Sequence, residues 1–322
     1  MNGNRCALCP RDCKAIRDGE QGQGFCHMGT LPKVARAALH FWEEPCISGK
    51  NGSGTVFFSG CTLRCVYCQN YEISNREYGE IISVERLAAI YRELEEQGAH
   101  NINLVNPTHF VPAIVESLRQ YRPRIPVVYN SSGYEKVETL RQLEGLVDVY
   151  LPDFKYADDE TARRYSGVSD YFSQACLAIT EMARQTGAPQ FDEEGMLLHG
   201  TVVRHLILPG NTRNSMAVLD WIQHHLSGQV LVSLMGQYVP CGAVQQMPEL
   251  NRRITPREYR KVQDHLFSLD LDGFVQRLSS AQKDYIPQFD LQGVLERGPA
   301  ELDSGNGSAA CRRPVMQQRE KV

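Results

Sequence analysis

The most reactive groups of this chain crowd into one stretch, Gly60-Cys61-Thr62-Leu63-Arg64-Cys65-Val66-Tyr67-Cys68-Gln69-Asn70. Three cysteines fall within eight positions, separated by three and then two residues. Three thiolates that close can hold three corners of an iron–sulfur cubane, which leaves the fourth iron without a protein ligand. An open position on a metal is where chemistry takes place. A second set opens the chain: Cys6, Cys9 and Cys13, then Cys26 after Gly19, Gly22 and Gly24. Four thiolates joined by glycine turns can close around zinc or an iron–sulfur cluster. Spacing does not choose between the two metals, and a set of inert buried cysteines is the plain alternative. His27 reads as a surface residue.

Composition bounds what such sites could serve. A net charge of −4 and a pI near 6.2 give no sign of a nucleic-acid binder or a polybasic membrane binder. No apolar run reaches the roughly 18 residues of a membrane span, and the start of the chain lacks the apolar core of a signal peptide. The expectation is a cytoplasmic protein that does not engage membranes. Eleven cysteines in such a compartment point to metal or redox chemistry before disulfides.

The elements that must position these groups alternate. Thr55 to Ser59 reads as a buried strand leading into the three cysteines. Further strands are expected at 101–106, 126–130, 146–151, 201–208 and 229–234, with a short one at Phe274-Val275. Helices are expected from a cap at Ser83 to Gly98, at 111–121, at 137–143, twice within 158–187, at 214–226, and from Thr255-Pro256 onward. Residues 187–195 read as a polar loop. The strands are continuous apolar runs, the pattern of parallel strands covered on both faces. The fold class is therefore α/β, a partial parallel (β/α)6-type barrel. The domain reading is a Cys-rich extension over 1–50, a core barrel over 51–276, a further extension over 277–296 and a flexible tail over 297–322. Cys311 in that tail reads as incidental. In such barrels the site lies at the carboxyl ends of the strands, and Cys61, Asn106, Asn130, Asp153, Arg204 and Gln237 stand at those ends.

The three cysteines, with Tyr67 before the last, resemble the signature of the radical S-adenosylmethionine superfamily. The resemblance runs through residues 54–240. It is nearest to the activating enzymes of glycyl-radical enzymes, of the pyruvate formate-lyase activase kind. The amino-terminal cysteines, Asn106-Pro107-Thr108-His109 and Ala281-Gln282-Lys283-Asp284-Tyr285 resemble an activase-related family without a generally assigned substrate.

The resemblance implies a [4Fe-4S] cluster on Cys61, Cys65 and Cys68. It implies S-adenosylmethionine chelated to the open iron and cleaved, after one electron enters, to a 5′-deoxyadenosyl radical. Tyr67 and Gln69 would sit in the cluster loop beside the ligand. Asn106 and Thr108 stand where many relatives have a Gly-Gly-Glu turn for the ligand's amino group; the carboxylate is missing here. His109 follows as a solvated or helix-capping residue, or as part of that turn. Asn130 and Ser132, in Asn130-Ser131-Ser132-Gly133, match a turn that reaches the ribose. Asp153 and Lys155 match an Asp-Leu-Lys motif near the ligand. Arg204 matches a strand arginine whose anionic partner would be the ligand carboxylate. Gln237 falls where activases place a histidine near the adenine or ribose.

The implied partners are S-adenosylmethionine, a glycyl-radical enzyme as protein substrate, and a flavodoxin- or ferredoxin-like electron donor. Two alternatives stand beside the activase reading. One is a radical enzyme acting on another peptide or a small metabolite, with the amino-terminal metal (iron–sulfur or zinc) as an auxiliary centre. The other is a non-enzymatic iron–sulfur electron-transfer protein.

Overall fold

The computed structural model describes residues 5–276 and 287–296. The expected tail at 297–322 and the phrase at 281–285 lie outside those residues. The strands are β1 (Lys33–His40), β2 (Ser53–Phe58), β3 (Glu80–Ile81), β4 (Ile102–Val105), β5 (Val127–Ser131), β6 (Val149–Pro152), β7 (Gln190–Phe191), β8 (Leu197–Leu206), β9 (Leu231–Met235) and β10 (Gly273–Val275). The α-helices are α1 (Pro45–Ser48), α2 (Tyr71–Ser74), α3 (Val84–Glu96), α4 (Val111–Gln120), α5 (Val137–Leu140), α6 (Asp159–Ser166), α7 (Tyr171–Thr186), α8 (Thr212–Leu226) and α9 (Pro256–Phe267).

The expected parallel core is present. Strands β2, β4, β5, β6, β8, β9 and β10 lie side by side in that order, each parallel to the next. Among the described residues the sheet stays open, with β10 at one side and β3 at the other. Local chemistry explains the helix starts. The Ser83 hydroxyl accepts the Arg86 N–H at 3.1 Å to open α3. Thr255 and Glu258 form a reciprocal capping box on α9, with Pro256 at its first turn.

Two features depart from the sequence reading. Residues 33–40 fall in the stretch assigned to a Cys-rich extension, yet they form β1, antiparallel to β2 and to β3. A register shift between Val34 and Arg36 breaks the period-two pattern, so alternation does not reveal the strand. Residues 187–195 are not wholly loop, since β7 pairs back on β8.

Side-chain alternation divides the sheet into two faces. On the helix-covered face, Tyr129, Tyr150 and Val127 join one apolar cluster, while Val203, Val232 and Leu234 join another. The opposite, concave face changes character along each strand. Val128 precedes Asn130, Leu151 precedes Asp153, and Val202 precedes Arg204. The apolar half is plugged by α1, whose Cys46 and Ile47 pack with Val128, Val149, Leu151, Val202 and Leu231. Burying Ile47 completely contributes about 2 kcal/mol of transfer free energy. Asn101 fixes the plug by donating to the Ile47 carbonyl at 2.7 Å. The polar half is occupied by Asp153, Arg204, Asn130 and Glu43, bonded to one another.

Candidate functional site

Strand β2 delivers the cysteine loop to the carboxyl end of the sheet. The entry of the loop demands glycine: Gly60 has φ +78°, and a Cβ there would meet the Met28 side chain at 2.5 Å. Cys61 and Cys65 are buried and Cys68 is half-buried. Each sulfur accepts a hydrogen bond. Cys61 Sγ takes the N–H groups of Leu63 at 3.3 Å and Arg64 at 3.5 Å. Cys65 Sγ takes the Ser166 hydroxyl at 2.9 Å, and Cys68 Sγ takes that of Ser74 at 3.2 Å. Burial, then the proximity of Cys61 and Cys65, pushes the Cys68 thiol up to about 12. Burial raises Cys61 likewise, with Cys65 adding to it. A free thiol at Cys61 or Cys68 would stay protonated, whereas donors aimed at all three sulfurs suit the thiolates of a metal cluster. Among the described residues, no three His, Cys, Asp or Glu side chains converge on a point that one metal ion could share.

Beside the cysteines lies a buried charged network. Lys155 Nζ is 2.5 Å from Asp153 Oδ2, and Arg204 Nε is 2.9 Å from Asp153 Oδ1. Arg204 also donates to Glu43 Oε2 at 3.0 Å and to Asn130 Oδ1 at 2.6 Å. The expected partner of Arg204 was a ligand carboxylate. All three of its nitrogens instead have protein acceptors, and its anions are Asp153 and Glu43. Burial works against the charge of Lys155, but Asp153 and the sulfurs of Cys65 and Cys68 together outweigh it and raise the pKa. Burial likewise opposes ionisation of Asp153, yet Arg204 and Lys155 hold it below its ordinary value. Glu43 and Glu44, just ahead of α1, are raised by burial and partly offset by Arg204. Sequence reasoning passed over this pair, because Glu43-Glu44-Pro45 looks like a solvated turn.

The turns at the strand ends are built from backbone geometry. Asn106 adopts φ +60° and its side-chain amide donates to the Gly60 carbonyl, tying β4 to the cysteine loop. Thr108 does not face the network. Its hydroxyl donates to Glu135 Oε1 at 2.6 Å, and both residues are buried. His109 is neither solvated nor a free cap: it is buried, with Nε2 2.7 Å from the Ser59 carbonyl. Burial lowers its pKa to about 3, so the ring is neutral and Nε2–H donates. Ser132 Oγ is buried without a protein partner. The Tyr171 hydroxyl accepts the Lys155 N–H at 2.9 Å and lies 2.8 Å from the carbonyls of both Ser132 and Asp153. It locks the ends of β5 and β6 together, a role no local sequence signal announces. The Tyr67 hydroxyl turns to Tyr156 at 2.8 Å. Gln69 is half-exposed on the loop, and Gln237 makes only a 4.0 Å approach to Met235 Sδ.

The amino-terminal cysteines sit directly against this loop. The Cys13 sulfur lies against Gly24, two residues ahead of Cys26. Arg17 approaches Cys6 Sγ at 3.7 Å and donates to the His109 carbonyl at 2.7 Å. Arg64, from the loop, reaches the Cys26 carbonyl at 3.5 Å. His27 is exposed as expected, paired with Glu77 at 2.7 Å.

Comparison with known proteins gives three findings. The family model described as "Radical SAM superfamily" matches residues 55–222. An uncharacterised protein of Methanocaldococcus jannaschii is 31% identical over 277 residues, 83% of this chain and 75% of that one. Among solved structures, Streptococcus suis SuiB bound to S-adenosylmethionine superposes with TM-score 0.47 at 12% identity, covering 69% of this chain and 49% of that one. Methylornithine synthase gives 0.46 at 13%, covering 67% and 60%. The chain thus spans about half the length of SuiB.

Proposed function

This chain belongs to the radical SAM superfamily, and from that premise we propose that it reductively cleaves S-adenosylmethionine and passes the radical to a protein partner, as a glycyl-radical activase does. Membership implies a [4Fe-4S] cluster and S-adenosylmethionine. When bound, that pair supplies a 5′-deoxyadenosyl radical able to abstract a hydrogen atom. The observation that carries the reading is the placement of Cys61, Cys65 and Cys68 at the carboxyl end of β2, each sulfur receiving a hydrogen bond, beside Lys155.

In this reading Cys61, Cys65 and Cys68 are the cluster ligands. Lys155 offsets part of the thiolates' negative charge. Asp153, Asn130 and Ser132 offer acceptors and donors along the strand ends; Ser132 Oγ, buried and unpartnered, is free to bond a ligand hydroxyl. Arg204 holds Asp153 and Asn130 in place and touches the ligand through them. The Thr108 position is structural, and Asn106 leaves its amide oxygen for the ligand's amino group. Gly60 and the neutral His109 keep the loop seated on β4. The concave face, plugged by α1, excludes water from below. Cys6, Cys9, Cys13 and Cys26 are the donors for a second centre, and a flavodoxin- or ferredoxin-like protein supplies the electron.

The test is anaerobic incubation of reconstituted protein with S-adenosylmethionine and a strong reductant, scored for 5′-deoxyadenosine. Wild type should release it and Cys65→Ala should not; equal yields would refute the central claim, and no yield from either would favour electron transfer alone. Iron counting on the same preparations addresses the second centre. A drop of about four irons per chain in Cys9→Ala supports an additional cluster. No drop removes it.

A further inference from the structure

Cys65 is the end of a row of hydroxyls. Ser166 Oγ lies 2.9 Å from Cys65 Sγ and 2.7 Å from the Tyr156 hydroxyl. The Tyr156 hydroxyl in turn lies 2.8 Å from that of Tyr67. Ser166, Tyr156 and Tyr67 are all buried. A thiolate sulfur has no hydrogen to give, so Ser166 must donate to it. Tyr156 then donates to Ser166, and Tyr67 donates to Tyr156. One polarity satisfies every member, and each bond polarises the next.

The position of Ser166 is set from two directions. It is the last residue of α6, which ends on Gly167 at φ +63°. That turn is held by Arg11, which donates to the Ser166 carbonyl at 3.1 Å and to the Gly167 carbonyl at 3.3 Å. The same guanidinium donates through Nε to the Thr62 carbonyl at 2.5 Å, next to Cys61. Its plane rests 3.4 Å from the centre of the Phe25 ring. Arg11 lies between Cys9 and Cys13, so the amino-terminal cysteine segment itself fastens the serine to the loop it faces.

We propose that Ser166 tunes the reduction potential of the cluster held by Cys61, Cys65 and Cys68, with Arg11 as its positioning residue. The proposal rests on the assignment of those three cysteines as cluster ligands. The step concerned is the addition of one electron from an external reductant. No covalent bond forms or breaks, and the Ser166 proton stays on Oγ. Reduction places more negative charge on the sulfurs, a donor to sulfur stabilises the reduced form more than the oxidised one, and the potential rises. Neither residue touches substrate.

The experiment is an anaerobic redox titration with dithionite, followed by the EPR signal of the reduced cluster, on reconstituted whole chain. Ser166→Ala should keep its iron and titrate at a lower potential. At the wild-type midpoint its reduced-to-oxidised ratio should be about fivefold lower, the worth of roughly 1 kcal/mol in one hydrogen bond. Ser166→Thr keeps the hydroxyl and should titrate with wild type. Arg11→Lys keeps the charge but loses the fork, and should shift the same way by less. Combined with Ser166→Ala it should add nothing further. An unchanged midpoint in Ser166→Ala at equal iron overturns the proposal and leaves the ligand assignment standing. If Cys65→Ala retains all its iron, the assignment falls and the proposal with it. Should Ser166→Ala take up no cluster, Tyr156→Phe decides: a smaller shift in the same direction supports the proposal, and no shift overturns it.

Discussion

Glu135 is a carboxyl that its surroundings hold well above its ordinary range. It is completely buried, and its oxygens accept from Thr108 at 2.6 Å and Tyr129 at 3.2 Å. Burial raises its pKa to about 7, with those hydroxyls pulling the other way. A carboxyl raised on folding stays protonated in the folded chain while the unfolded chain ionises above about 4.5. Folding stability should therefore be full below pH 4.5 from this group and fall as pH rises toward 7, by roughly 3 kcal/mol in all. Glu135→Gln should flatten that slope between pH 5 and 7.5 in chemical denaturation. An unchanged slope would mean that Glu135 is ionised in the fold. The residue was invisible in the sequence because Gly133-Tyr134-Glu135 reads as an ordinary turn. The same limit applied to Arg204. Its place inside an apolar strand demanded an anion, and the demand was met by Asp153, 51 positions away, and by Glu43, 161 positions away. A sequence exposes the need for a partner more readily than its identity.

At the level of elements, the parallel core was legible because each of its main strands is a short apolar run closed by a polar or turn residue, and the helices starting after Ser83 and Thr255 carry their own start signal. Ser83 and Thr255 cap where their hydroxyls can reach the third N–H, a requirement written entirely within four residues. The elements missed are those whose identity depends on distant partners. β1 is a strand because it finds β2, and its shifted register hides the alternation. α1 is a single turn, too short for periodicity, and earns its place only by filling the sheet's concave side. The cysteine loop lies between these cases. Its spacing announced three ligands, but the glycine at its entry, the serines at 74 and 166 and the clamp from Arg11 come from four separate segments.

Across the whole molecule, the two ends of the described chain close over the sheet. The amino-terminal cysteine segment packs on the cluster loop, and residues 287–296 pack on β1. Arg36 pairs with Asp290 at 2.5 Å, Val294 is fully buried, and Arg86 donates to the carbonyls of Val294 at 2.9 Å, Gly293 at 3.0 Å and Leu295 at 3.1 Å. Removing that guanidinium strips three carbonyls of their donor at once. Arg86→Ala should destabilise the chain by about 3 kcal/mol and open the carboxy-terminal segment to limited proteolysis before the barrel is cut. Simultaneous loss of both, or no change in the cleavage order, would show that the segment is not held through Arg86. No helix among the described residues is long and apolar enough to cross a membrane.

The plug formed by α1 closes one end of the concave face, and Glu43, two residues ahead of that helix, meets Arg204. One short segment thus ties apolar packing to the placement of charge: whatever loosens Ile47 against Val128, Val149, Leu151, Val202 and Leu231 also frees the carboxylate that holds Arg204.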